Sequence, residues 1–318
     1  MESDLRVGGS RGGRRWVFGL CVGAALVLGG TARSALAADT SQEDFATAEQ
    51  AVDALIGAMR QGDQPQLLQV LGPDSEKLIH SGDPIADQRG RERFVSAYDK
   101  AHRIEVDKAG MATLVVGSEN WPMPIPVVKQ GGRWRFDTVA SVQKILDRRV
   151  GRNELSVIEV CRAYVSAQRE FASESWNGSH EYAQKFESSA GQHDGLYWEA
   201  PAGQPQSPLG PLMAKARAQG YGAADHTLQP LPYHGYFYRI LTRQGARAPG
   251  GAKDYVVNGH MTAGFALLAF PARWGDSGIT TFVVNQGGIV FQKNLGPDTE
   301  RLASDITEYD PDPSWTTP

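Results

Sequence analysis

The sequence predicts an α+β protein in which N-terminal helices and a curved antiparallel sheet precede a long helix packed on a C-terminal antiparallel β-meander. Apolar residues recur every three or four positions in 49–62 and, over a much longer stretch, in 142–172. Short β-branched and aromatic runs with glycine turns follow each of these stretches. The 36 glycines and 18 prolines among 318 residues favour many turns over a helical bundle.

Residues 1–37 have the three parts of a secretory signal peptide. A basic part with Arg14 and Arg15 precedes an apolar run over 16–30, and small residues end at Ala37. The run is shorter than the ~20 residues that span a bilayer. We therefore expect cleavage after Ala37, a periplasmic or secreted product and no stable membrane insertion afterwards. An uncleaved anchor is the alternative, and the arginine pair leaves general and twin-arginine export both open.

Cleavage would change the charge and the cysteine content. The full chain carries a net charge of −4, and the signal holds five of its 32 basic and two of its 36 acidic residues, so the mature chain is near −7. An acidic chain without a basic, aromatic-rich cluster is a poor partner for nucleic acid. Cys21 leaves with the signal, so Cys161 has no partner for an intramolecular disulfide.

The first half of the mature chain is predicted to contain three helices and then strands. Helical periodicity in 49–62 is followed by a short helix at 67–71 and a third helix over 86–102. Residues 111–116 are apolar and β-branched, and 125–136 have the alternation and central glycine pair of a hairpin. Prolines before that hairpin place its start at a sheet edge.

The pattern over 44–139 resembles nuclear-transport-factor-2-like (NTF2-like) cone domains. The resemblance implies a domain over 38–141 with a pocket in the cone, which in such proteins serves either catalysis or binding. Polar or aromatic residues that could project into the cone occupy no catalytic spacing, and we expect them on the surface or rim: Tyr98, Asp99, His102 and Trp121.

The second half begins with the longest helical pattern, residues 142–172. Cys161 falls on its apolar stripe, which predicts a buried and unreactive thiol. A short helix over 212–219 and an antiparallel meander follow, with strands predicted at 233–241, 254–257, 264–270, 280–284 and 288–291. The helix and the final hairpin resemble the globular part of pilin-like and pseudopilin proteins, which implies a second domain over 142–318. Residues 38–40 do not start the hydrophobic helix of a mature pilin, so assembly into a pilus is not expected.

Eight short segments in order resemble a bacterial family of exported proteins, domain of unknown function 2950. They are Ser-Gly-Asp-Pro at 81–84, Asn-Trp-Pro at 120–122, Arg-Val-Gly-Arg-Asn-Glu-Leu at 149–155, Cys-Arg-Ala-Tyr at 161–164, Asp-Gly-Leu-Tyr-Trp at 194–198, Ser-Pro-Leu-Gly-Pro-Leu at 207–212, Tyr-His-Gly-Tyr-Phe-Tyr-Arg at 233–239 and Leu-Gly-Pro-Asp-Thr at 295–299. The resemblance implies export to a bacterial envelope. It supplies no activity and no catalytic residues.

The favoured functional hypothesis is a non-catalytic exported protein that binds an envelope protein, a glycan or a small ligand through an aromatic surface or the cone pocket. The aromatic candidates, for which core packing is the alternative, are Tyr197, Trp198, Tyr233, Tyr236 and Tyr238. A further non-catalytic hypothesis is an accessory role in a pilus or type II secretion system.

A hydrolase is the catalytic alternative. His234 stands beside a glycine among aromatic residues, and Asp254 is its candidate acidic partner. His260 follows a glycine in a predicted turn and is a further ligand candidate. The loop over 173–181 has too few carboxylates for calcium, and no sequence motif for a metal, a nucleotide or a nucleophile elbow is present, so we expect neither metal nor cofactor.

Overall fold

A computed structural model describes residues 42–176, 178–201, 203–221 and 231–318. The predicted signal peptide, 1–37, lies outside the described residues. The described part contains seven α-helices: α1 (Ala48–Gln61), α2 (Gln64–Leu71), α3 (Glu76–Ile79), α4 (Pro84–Lys100), α5 (Val139–Glu174), α6 (Gly210–Ala218) and α7 (Thr299–Asp305). None of these helices is long and apolar enough to cross a membrane.

Local chemistry sets the boundaries of the first helices. The side chains of Thr47, Asp63 and Asp83 accept hydrogen bonds from backbone amides at the starts of α1, α2 and α4. Gly62 adopts a left-handed conformation (φ 66°) and ends α1, so α2 can turn back against it.

The N-terminal sheet is antiparallel. Its strands are β1 (His102–Val106), β2 (Ala112–Val116), β3 (Trp121–Pro122), β4 (Val127–Gln130) and β5 (Arg133–Phe136). Their order is β1-β2-β4-β5, with β3 paired to β2. Helix α1 packs on β4 and β5, and buried side chains such as Leu55, Leu114 and Phe136 form a first hydrophobic core.

The C-terminal sheet is also antiparallel, with the order β13-β12-β11-β6. Its strands are β6 (Tyr236–Leu241), β11 (Ala266–Pro271), β12 (Thr281–Asn285) and β13 (Val290–Lys293), and two small ribbons pair β7 (Arg243–Gln244) with β8 (Lys253–Asp254) and β9 (Val256–Val257) with β10 (His260–Met261). Helix α5 packs on β11, β12 and β13 and forms a second core that includes Cys161, Tyr164 and Phe265. The predicted fold class, including a long helix followed by a strand meander, is confirmed.

Some local predictions differ from the structure. The third helix ends at Lys100, and His102 begins strand β1, which the sequence analysis missed because β1 is exposed on almost every residue. The single strand predicted over 254–257 is wrong: the buried Tyr255 separates β8 from β9, and each pairs with a different neighbour. Helix α5 starts three residues earlier than predicted, at Val139.

The described residues belong to one compact unit that contains both cores. Polar side chains connect the two parts: Arg273 donates to the carbonyl oxygen of His80 (2.8 Å) and Arg149 to that of Lys77 (2.7 Å). The division into domains at residues 141 and 142 stays a prediction, since that boundary falls in the first turn of α5.

Candidate ligand-binding cavity

A cavity of about 590 Å³ lies where α4, the middle of α5 and the residues near Tyr221 and His234 meet. Cavities of this size hold ordinary small-molecule ligands. Its walls come from both the N-terminal and the C-terminal parts of the chain, so the tertiary fold creates the site.

One part of the cavity lining is apolar. These side chains belong to the N-terminal core or pack against it: Met59, Leu67, Leu71, Leu78, Ile79, Phe94, Met123, Ile125 and Ile145. Trp121 stands at the edge of this wall with 45% of its surface exposed, and its ring meets that of Phe94 edge-to-face at 6.2 Å. The wall therefore offers contact area to an apolar group, part of it open to solvent.

The other part of the lining is cationic. Five arginines contribute, three from α4 (Arg89, Arg91 and Arg93) and two from α5 (Arg149 and Arg152). Within the described residues, the carboxylates in the lining are only two, Asp83 and Asp87, although the whole chain has more acidic than basic residues. Among the described residues, Arg91, Arg93 and Arg152 have no hydrogen-bond or ion-pair partner, and Arg89 pairs with Glu92 at 3.1 Å.

Arg149 is fixed in place by backbone carbonyls. Its guanidinium donates to the carbonyl oxygens of Lys77 and Leu78, both at 2.7 Å. Burial lowers the pKa of Arg149, and burial raises the pKa of Asp87, whose carboxylate accepts from the backbone N–H of Ser81 at 2.9 Å. The positive charge of Arg149 opposes the rise in the Asp87 pKa. Burial therefore disfavours the charged forms of both Arg149 and Asp87 in the cavity.

Asp83 joins the two parts of the chain at one end of the cavity. Its carboxylate is buried and accepts from the backbone N–H of Ala86 (2.9 Å), the hydroxyl of Tyr221 (2.7 Å) and the backbone N–H of Gly235 (2.8 Å). A single side chain therefore starts α4 and fixes the segments that carry Tyr221 and His234.

The turn that presents His234 requires unusual backbone conformations. His234 has φ 52° and Gly235 has φ 75°. A Cβ on Gly235 would lie 2.7 Å from Nδ2 of Asn153 and 2.8 Å from Cβ of Ser277, so only glycine fits this close approach. Burial, followed by the charge of Lys215, lowers the pKa of His234.

Of the predicted site residues, only His234 lines this cavity. Among the described residues its imidazole makes no hydrogen bond, and the nearby acidic charges that act on it are Asp83 and Glu159. Asp254, the candidate partner for hydrolysis, lies exposed on β8 and pairs with Arg243 at 3.1 Å. His260 lies on β10, where Nδ1 is 2.8 Å from Oε2 of Glu181. The structure does not bring these residues together.

The predicted aromatic group belongs mostly to the second core. Tyr236 is fully buried and donates to the carbonyl oxygen of Thr280, and Tyr197 is buried with Arg217 5.1 Å above its ring. Tyr233, Tyr238 and Trp198 are partly buried: Tyr233 meets Tyr221 edge-to-face (4.9 Å), Tyr238 donates to the carbonyl of Tyr233 (3.3 Å), and Trp198 stacks on His193 (4.2 Å). None of the five lines the cavity.

The rim residues proposed for the N-terminal part have different positions. Trp121 lines the cavity mouth as expected for a rim residue. Tyr98 is buried and stacks on His102 at 3.7 Å, whereas Asp99 is exposed and pairs with Arg60.

Sequence analysis missed the arginines of the cavity. A local signal existed, since three arginines fall within five residues at 89–93 in an acidic chain and two more stand three residues apart at 149 and 152. Four of the segments that carried the family resemblance, 81–84, 120–122, 149–155 and 233–239, supply cavity residues. No periodicity in the sequence shows that these distant segments meet.

Comparisons with known proteins identify one family. Residues 42–317 match the family described as Protein of unknown function (DUF2950). No curated protein and no solved structure matches the chain. The likenesses to NTF2-like and pilin-like domains therefore stay predictions. Within the described residues, no three histidine, cysteine, aspartate or glutamate side chains are grouped so that they could hold a metal ion.

Proposed function

Since this chain belongs to the DUF2950 family, whose description names no activity, we propose from its cavity that the protein binds a small organic anion without transforming it. The observation that carries the proposal is the excess of five arginines over two carboxylates among the described residues that line the cavity of an acidic protein. Arg91 and Arg149 are partly buried, and solvent screens a partly buried charge less than an exposed one, so these two attract anions more strongly than surface arginines do.

The lining supports binding better than hydrolysis. Nucleophilic catalysis needs a nucleophile within hydrogen-bond reach of a base that a third group orients. His234 forms no hydrogen bond to a serine, cysteine or carboxylate among the described residues, and Asp83 is already occupied by three donors. By contrast, Arg91, Arg93 and Arg152 have N–H donors without a partner among the described residues.

Calorimetric titration with benzoate and octanoate tests the proposal, with benzamide and octanamide as uncharged counterparts. We expect the anions to bind and the amides to bind at least tenfold more weakly, since hydrogen bonds to charged groups are the stronger ones. Added salt should weaken only the anions. Equal affinity for an anion and its amide would refute a cationic site.

A pair of neighbouring arginines supplies the matched control. Arg152→Gln removes a cavity cation without an internal partner and should weaken anion binding by about tenfold. Arg148 lies exposed on α5 and outside the cavity lining, so Arg148→Gln should leave the affinity unchanged. An equal loss in both variants would point to general charge rather than to the cavity.

We also propose that the protein is exported to the periplasm or secreted. The support is the three-part segment over 1–37. Cell fractionation with N-terminal sequencing of the product tests it, and a product that begins at Met1 in the cytoplasm would contradict it. An accessory role in a pilus or type II secretion system stays a prediction, which pull-down of pseudopilins from envelope extracts would test.

A further inference from the structure

The two kinds of lining residue come largely from different segments of the chain. The apolar side chains come from α1, α2, α3, Phe94 of α4, Ile145 near the start of α5 and the segment before β4, and they adjoin the N-terminal core. The polar ones come from the start of α4, the middle of α5 and the segments at 219–221 and 234. A ligand that fills the cavity therefore meets an apolar environment at one end and a polar, cationic one at the other.

Helix α5 shows this change along a single face. Ile145, Arg149, Arg152 and Ser156 are spaced by four, three and four residues, and all line the cavity. At 1.5 Å per residue the face changes from apolar to cationic within about 10 Å. The lining residues of helix α4 also change in character along the helix. Asp83 and Asp87 lie at its start, and the apolar Phe94 lies in its later turns.

On α5 the cationic part of the lining contains one fixed guanidinium, Arg149, and one available guanidinium, Arg152. Arg149 is held by two backbone carbonyls, so it contributes charge from a constant position. Arg152 is exposed and has no hydrogen-bond or ion-pair partner among the described residues, so its donors are free for a ligand. A carboxylate fits such a fork through two parallel hydrogen bonds.

The apolar wall includes one side chain that is largely exposed and others that are buried. Trp121 keeps 45% of its surface exposed although its ring meets Phe94 at the cavity mouth. Met123 and Ile125 are buried deeper in the same wall. An aliphatic chain along this wall would remove apolar surface from water, and that is the main source of affinity for such a group.

We propose that the anion bound in this cavity is a single-chain amphiphile, with its carboxylate at Arg152 and Arg149 and its hydrocarbon tail against Phe94, Trp121 and Met123. The inference rests on the proposed function and adds the chemical class of the ligand. In this proposal the carboxylate and the hydrocarbon tail of one molecule occupy the two ends of the cavity.

A series of anions of increasing chain length measures how much the hydrocarbon tail contributes to affinity. Titrations of the full chain use butanoate, hexanoate, octanoate, decanoate and dodecanoate, each below its micelle concentration. Affinity should rise by roughly fourfold for each added methylene until the apolar end is filled, and then level off. Alcohols of the same lengths should follow the same rise at lower affinity, because they lack the charge.

Two sets of variants separate the ends. Arg152→Gln should lower the affinity of every chain length by about the same factor and leave the rise per methylene unchanged. Trp121→Ala should reduce the affinity for dodecanoate severalfold and leave that for butanoate unchanged. Ile145→Gln, on the apolar part of α5, repeats the test of the tail at a second position. Leu155, exposed on α5 outside the cavity lining, provides the control Leu155→Ala with no expected effect.

The outcomes are distinguishable. Anions that bind with no dependence on chain length would overturn the amphiphile and leave the anion site standing. Failure of every anion to bind would overturn both proposals. If the affinity of Trp121→Ala and of Ile145→Gln still rose by the same factor for each added methylene, the tail would lie elsewhere. That result would overturn the assignment of the apolar end.

Discussion

Replacement of Asp83 by alanine tests how the two parts of the chain are joined. The carboxylate has 1% exposure and accepts three hydrogen bonds: from Ala86 N at 2.9 Å, Tyr221 Oη at 2.7 Å and Gly235 N at 2.8 Å. Asp83→Ala removes the cap of α4 and leaves two further donors without an acceptor. The damage thus includes both a helix end and a connection between the parts.

The magnitude follows from these contacts. Loss of an N-cap lowers the free energy of unfolding by about 1 kcal/mol. Each buried donor left unsatisfied lowers it by about 1–3 kcal/mol, toward the lower end where water can reach the half-buried Tyr221. We therefore expect a total loss of about 3–5 kcal/mol, a large fraction of the ~5–15 kcal/mol that stabilises a typical domain.

Asp63 offers a matched control, because it is also an N-cap aspartate one residue before a helix. Its carboxylate accepts from Gln66 N at 3.0 Å and caps α2 without connecting the two parts of the chain. Urea unfolding followed by circular dichroism should give a loss of about 1 kcal/mol for Asp63→Ala. If the two variants lost equal stability, the connection through Tyr221 and Gly235 would contribute nothing and the reasoning would be refuted.

Two further predictions concern titratable groups. Burial raises the pKa of Asp87 above 3.8 and lowers that of His234 below 6.5. As pH falls from neutral, Asp87 therefore loses its negative charge earlier than an exposed aspartate, and the affinity for dodecyl sulfate, which stays ionised, should rise. Asp87→Asn should bind more tightly at neutral pH and flatten the profile, and a steeper profile would contradict this assignment. Burial raises the pKa of the Cys161 thiol to about 12. In a Cys21→Ser background we therefore expect thiol reagents at pH 8 to react with Cys161 only after unfolding. Rapid reaction of the folded protein would contradict the burial of Cys161.

The elements that the sequence predicted well are those whose burial is one-sided and regular. The stripe of α5 includes Cys161, Tyr164 and Phe171, and all three are buried against the C-terminal sheet. Strand β1 has no such pattern, because four of its five residues are exposed at the edge of the N-terminal sheet. Periodicity reports burial, so it is silent where a strand is formed chiefly by pairing with its neighbour.

The candidate site was predicted poorly for a related reason. Aromatic residues near His234 stand out in the sequence, but Tyr236 and Tyr197 are buried and serve the second core. The cavity arginines stand on helices, where a charged residue ordinarily lies on the solvated face. Only the tertiary arrangement brings Arg91 of α4 and Arg152 of α5 to a common cavity. Such convergence depends on tertiary structure, and local sequence patterns do not encode it.

Folding alone does not explain the chemistry of the cavity. Like charges near one another repel, and burial lowers the pKa of Arg149, which means that its charged form is less favourable there than in water. An interface that served only stability would gain more from apolar side chains of similar volume than from partly buried cations. A bound anion would supply the missing negative charge and relieve both costs. The proposed anion would therefore account for the excess of arginines among the described lining residues, which the packing of the two cores does not require.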